Sequence, residues 1–244
     1  MTGDAERDAL PGRRQLVRAA LTGAVAVVAG LVSDTAATST VTRPEGKGRR
    51  PRTPEAALLE LAAGNARWRT FHEQNPDRTR AVRQTLVTGQ HPFAVVLGCV
   101  DSRVPPELVF DQGLGDLLTV RSAGSILDEA VLASITYGVL ELGIPLVVVL
   151  GHQSCGAVTA AVHAAQGGEL LPGHMQYLVD QIRPAIDRTL AGAERVDAAI
   201  TVNVRLVRSR LVAEPDLTPR ITAGRLAVIG ARYELTSQRV HRIH

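Results

Sequence analysis

The sequence predicts an α/β domain with a mostly parallel central sheet of four strands plus an edge strand, flanked by helices. Three observations carry this. Short β-branched apolar runs without a polar face recur at 92–99, 117–121 and 146–152, as strands covered on both faces require. Helical periodicity fills the intervals between runs, which argues parallel strands joined by helical crossovers. Residues 54–244 contain no repeat or low-complexity tract, so they read as one domain. A chain of 244 residues with 45% hydrophobic content can build that domain around a single core.

Taken in order, "PEAALLELAAGNARW" spaces Ala57, Leu58, Leu61, Ala62 and Trp68 at helical intervals, with Pro54 suited to a first turn, and predicts a helix over 54–70. The run "PFAVVLGC" gives the first strand. A short helix near 105–112 leads to the second strand at 117–121, and a long helix over 127–142 leads to the third at 146–152. Helices over 154–166, 173–190 and 196–214 come next. "GRLAVIGARYEL" then predicts a fourth strand, and "QRVHRI" a fifth at the sheet edge.

Ahead of this domain, Arg13 and Arg14 precede an apolar segment of about 14 residues, Ala19 to Val32, followed by small and polar residues. A transmembrane helix needs roughly 20 apolar residues, so the segment is short for a span. A charged start, a modest apolar stretch and small residues after it describe an export signal. "GRRQLVR" resembles a twin-arginine signal, from which Gly12 and Leu16 depart. Residues 1–41 are therefore expected to engage export machinery, to be removed near 33–42, and to send the protein to the cell envelope or beyond. The competing readings are an uncleaved membrane tether and a later start codon that leaves the protein in the cytoplasm. Residues 42–53, rich in Pro, Gly and basic side chains, read as a solvated linker.

Charge excludes one class of function. The net +3 comes from residues 1–53, which hold nine basic and five acidic side chains, whereas the remaining 191 hold 18 and 19. The domain is neutral and lacks the electrostatic footprint of a nucleic-acid binder.

Chemistry concentrates after two strands. Cys99 and His152 each follow an apolar run, and Cys155 comes three residues beyond the histidine as a helix begins. In open α/β sheets ligands bind beyond the carboxyl ends of strands, so the three converge if the first and third strands are neighbours. Two thiolates and an imidazole make a Cys2His set for Zn2+ with its fourth tetrahedral position open to water, one ion per chain. Thiolates offset the charge of the metal, so the bound water needs help to ionise. Asp101 can accept its hydrogen bond, and Arg103 can hold that carboxylate ionised and aimed. If that pair breaks, Asp101 is close enough to bind zinc itself and close the site.

"CVDSR" followed by "HQSC" resembles the C-x-D-S-R and H-x-x-C motifs of the β-class carbonic anhydrases. "LLELAAGNARW" is similar to that family's helix before the first strand, and "VRSAGS" to its V-R-N-A-G segment, with Ser122 in place of the usual asparagine. The resemblance covers most of 54–235 and gives the domain its expected character, a β-carbonic anhydrase-like catalytic fold. It implies reversible hydration of CO2 to bicarbonate and a homodimer or higher even-numbered homo-oligomer. By position it makes Cys99, His152 and Cys155 the zinc ligands and Asp101 with Arg103 the gating pair.

Other readings compete. Cys99 and Cys155 can be two buried thiols or, in an exported protein, a disulfide. Cys155 with His152 can be a nucleophile and its base, which leaves Cys99, Asp101 and Arg103 without roles. The zinc set can act on CS2 or COS, or Asp101 can complete a closed, non-catalytic zinc domain. "GHQSCG" has one residue too many for a serine nucleophile elbow. "GLGDLL" lacks the third glycine of a dinucleotide fingerprint. His72, His91, His163 and His174 read as surface or packing residues.

Overall fold

The structure, a computed structural model, describes residues 50–168 and 170–244, all within the unit Glu45–His244. The expected export signal at 1–41 and the linker up to residue 49 lie outside the described residues. The last linker residues are docked: Arg50 donates to the carbonyls of His91 and of Gly115, the latter at 2.8 Å, and lies 3.5 Å from Asp116.

Five strands form one sheet: β1 (Ala94–Gly98), β2 (Leu117–Arg121), β3 (Leu146–His152), β4 (Ala227–Tyr233) and β5 (Val240–Ile243). Their order is β2-β1-β3-β4-β5, with β5 antiparallel to β4 and the other pairs parallel. The alternation of side chains along β1 divides the core between two faces. Val95 and Leu97 pack with Val147 and Val149 against α4 (Glu129–Leu140) and α7 (Gly192–Val212). Ala94 and Val96 pack with Val148 and Leu150 against α1 (Pro54–Arg69) and α3 (Pro106–Val109). Both central strands are buried along their whole length, as their apolar runs predict.

β2 differs from the sequence expectation. It forms a sheet edge and is only partly buried, so its run "LLTV" is not sandwiched as those of β1 and β3 are. The helix expected over 173–190 is also shorter. α6 spans Met175–Ile182 and tightens into a 3-10 turn at Arg183–Ala185, because Pro184 has no N–H for a continuing ladder. Two helices, α2 (Arg80–Thr85) and α8 (Thr218–Thr222), have no counterpart in the sequence reading.

Local chemistry sets the other boundaries. The Thr53 hydroxyl accepts from the Ala56 N–H at the start of α1, and Asp128 accepts from the Val131 N–H at the start of α4. α1 crosses α3 at Gly64, where a Cβ would stand 1.8 Å from the Phe110 carbonyl oxygen. α5 (Gly156–Gly167) starts directly after Cys155, whose side chain does not cap it. That thiol is left to face the sheet end.

Candidate metal centre

The registers of three neighbouring strands place the site. Gly98 of β1 lies opposite Leu150 of β3 and opposite Arg121 of β2, so the residues that follow these positions share the carboxyl end of the sheet. Cys99 comes one residue past β1, and His152 is the last residue of β3. Ser154, in the left-handed region at φ 55°, turns the chain back so that Cys155 faces them. The ligand atoms of Cys99, His152 and Cys155 all lie within 4.8 Å of one another, and all three residues are buried. Among the described residues this is the one group of at least three His, Cys, Asp or Glu side chains placed to hold a metal ion.

The histidine is prepared for ligation. Its Nδ1 lies 2.8 Å from the Gln153 carbonyl, which can only accept, so the ring proton sits on Nδ1 and Nε2 carries the lone pair. Nε2 is buried and has no hydrogen-bond partner, an arrangement that costs stability unless a ligand completes it. Gln153 is itself fixed, because its N–H donates to the Tyr233 carbonyl and its Oε1 accepts from Thr236.

The thiols are free and 3.9 Å apart. The Cys155 thiol beside Cys99 lowers the pKa of Cys99 against the opposing effect of burial, with His152 and the Gly124 N–H assisting. Proximity to Cys99 and burial push the Cys155 thiol up. Gly124, at φ 69°, aims its N–H at the Cys99 sulfur from 3.3 Å. Its carbonyl accepts from the buried Asn203 amide at 2.8 Å. Burial works against the imidazolium of His152, but the Cys99 sulfur and the Gln153 carbonyl outweigh it and raise its pKa.

Asp101 stands at the rim with Oδ2 3.8 Å from His152 Nε2. Arg103 grips it with a fork, Nε to Oδ1 at 2.9 Å and Nη2 to Oδ2 at 2.8 Å, while the Arg103 N–H donates to Oδ1. The guanidinium holds the carboxyl down at about 2. Arg103 also reaches the Ser154 carbonyl at 3.3 Å, tying the two ligand loops together. Beside Cys99 and Asp101 opens a cavity of about 350 Å³, walled by Ala123, Ala157, Leu171, Met175, Leu178 and Val179.

All five residues singled out in the sequence therefore meet at one place. Ser122, which departs from the family asparagine, donates to the Ile126 carbonyl at 2.7 Å. His72, His91, His163 and His174 are exposed and away from the cluster. The sequence does not reveal the Gly124 N–H or the Gln153 carbonyl, which serve through backbone atoms, or Arg121, whose guanidinium binds the Cys99 and Asp101 carbonyls. The "VRSAGS" likeness contains two of them but gives them no role.

Donor chemistry fits Zn2+, since two sulfurs and one unprotonated imidazole nitrogen face a common point. A comparison with protein families matches residues 94–240 to the family described as carbonic anhydrase. The chain is 42% identical over 193 residues to carbonic anhydrase 2 of Mycobacterium tuberculosis, spanning 76% of this chain and 91% of that relative. Among solved structures it resembles the β-carbonic anhydrase CcaA, with a TM-score of 0.61 at 26% identity over 76% of this chain and 94% of that one. Tetrameric β-carbonic anhydrases from Sordaria macrospora share the fold at 23% identity, with a TM-score of 0.61 over 78% of this chain and 97% of theirs.

Proposed function

The chain belongs to the β-carbonic anhydrase family, and from that premise we propose that it is a zinc lyase, a carbonate dehydratase interconverting CO2 with bicarbonate and a proton. The observation that carries the metal is the buried, unpartnered Nε2 of His152 within 4.8 Å of two free thiol sulfurs. Cys99, His152 and Cys155 would hold the ion. Zinc, when bound, acidifies a coordinated water and makes hydroxide available near neutral pH.

The chain's own residues supply the rest. Ionised Asp101 can only accept a hydrogen bond, so an oxygen nucleophile beside Oδ2 turns its proton to the carboxylate and its lone pair to the substrate. Arg103 keeps that carboxylate charged and aimed. The aliphatic cavity receives an uncharged, apolar substrate and offers bicarbonate little to bind. Engagement of Asp101 by Arg103 favours an open site over a closed, non-catalytic one, and the relatives described above are all named carbonic anhydrases, which leaves CS2 and COS without support.

The assembly is an even-numbered homo-oligomer in this reading, supported by the likeness to the tetrameric Sordaria enzymes. Residues 1–41 act as a twin-arginine-like export signal and 42–53 as a linker, a reading supported by Arg13, Arg14 and the apolar segment after them. The decisive experiment pairs zinc analysis with CO2 hydration on the purified full chain from pH 6 to 9. One zinc per chain with hydration supports the reading, and zinc-loaded protein without hydration across that range defeats it.

A further inference from the structure

Arg121 is the last residue of β2, and its guanidinium turns back over the loop that follows β1. Nε donates to the Cys99 carbonyl at 2.8 Å and Nη2 to the Asp101 carbonyl at 2.6 Å. The Asp101 carbonyl also accepts from the Val104 N–H at 3.1 Å, so Arg121 completes a clamp on the turn that carries Cys99, Asp101 and Arg103. The position of Arg121 follows from the ladder, where it lies opposite Gly98, one residue before Cys99. A planar fork with two donors at fixed spacing suits two carbonyls two residues apart, as a single ammonium would not.

We propose that Arg121 is a positioning residue for the metal centre. It touches neither the ligand atoms nor the cavity, and it acts by fixing the backbone from which the Cys99 sulfur and the Asp101 carboxylate both project. The inference rests on the carbonate dehydratase reading for its kinetic consequence and on the geometry alone for its structural one. Charge-assisted bonds to carbonyls are stronger than neutral ones, and outer partners of this kind orient the groups that touch a metal.

The test compares the zinc-loaded full chain with Arg121→Ala and Arg121→Lys. Arg121→Ala should keep the parent zinc content, while amide exchange in the segment 100–104 accelerates and exchange in β3 does not change. Its kcat for CO2 should fall about tenfold, the lower end for loss of an outer partner at a metal site, with KM little altered. Arg121→Lys and added guanidinium should each restore part of the lost rate. Unchanged exchange at 100–104 with unchanged kcat overturns the proposal. So does exchange accelerated throughout the sheet with zinc and activity lost in proportion, because that outcome marks a general structural role. If Arg121→Ala does not fold, Arg121→Lys carries the same comparison with a smaller effect. A parent protein without CO2 hydration refutes the functional reading, while the exchange data still decide the role of Arg121.

Discussion

Asp101 concentrates the consequences at the level of single residues. Its folded pKa of about 2 lies below the ordinary 3.8, so the stabilisation it draws from Arg103 is fully present above about pH 4 and is lost as pH falls through about 2. Between pH 6 and 9 the carboxylate does not titrate. Asp101→Asn should therefore keep zinc and the inflections of the parent pH profile while lowering the plateau roughly a hundredfold, as loss of a positioned proton-handling group does. Metal analysis and CO2 hydration across that range check this, and unchanged turnover would remove Asp101 from the mechanism. Cys99, Asp101, Arg103, His152 and Cys155 were legible in the sequence because side-chain chemistry leaves a signature in residue types and spacing. Gly124 and Gln153 were not, since a backbone N–H or carbonyl looks the same in every sequence, and Arg121 was not, since its side chain binds carbonyls whose position only the fold shows.

Among the elements, the junction between α1 and α3 depends on one buried carboxylate. Asp111, just after α3, accepts from Arg67 of α1 at 2.5 Å and from the N–H groups of Gln74 and Asn75 at 3.0 and 2.9 Å. Burial opposes its ionised form, but the Gln74 N–H, Arg67 and the Asn75 N–H outweigh it and lower the pKa. Asp111→Asn suits the left-handed backbone there, at φ 45°, and keeps the volume while removing the charge. It should cost about 2 kcal/mol at neutral pH, the order expected when a charged hydrogen-bond partner is lost from a buried site. Because the folded value lies below the unfolded one, the parent's advantage is present above about pH 4 and shrinks as acid protonates the carboxyl. Denaturant melts at pH 7 and pH 3 measure both effects. β1 and β3 were read correctly because a run such as "LVVVLG" has no polar face to expose. β2 misled the reading because its "LLTV" is just as apolar although the strand lies at an edge, a property of strand order that composition does not encode. α2 and α8, with six and five residues, are too short to display a helical period.

In the molecule as a whole, the metal and the fold are coupled. Removal of zinc by a chelator should lower the thermal midpoint, and added zinc should raise it with concentration, the folded state gaining about 2.7 kcal/mol at a hundredfold excess over Kd. Calorimetry on the metal-free and loaded protein measures this, and a midpoint insensitive to zinc would contradict ligation by the buried set. The fold class and the edge position of β5 were readable from the sequence, whereas the rest of the order β2-β1-β3-β4-β5 was not, because pairing between distant segments leaves no local trace.

Cys99 and Cys155 stand 56 positions apart, and only the pairing of β1 with β3 brings them together. Locally the nascent chain thus offers only the His152 and Cys155 pair: the full set of three must wait until the two innermost strands have met. Holding the ion is then a certificate of completed assembly, issued at the centre of the sheet. A chain halted before β3 is added carries one cysteine and no means of keeping a metal in place.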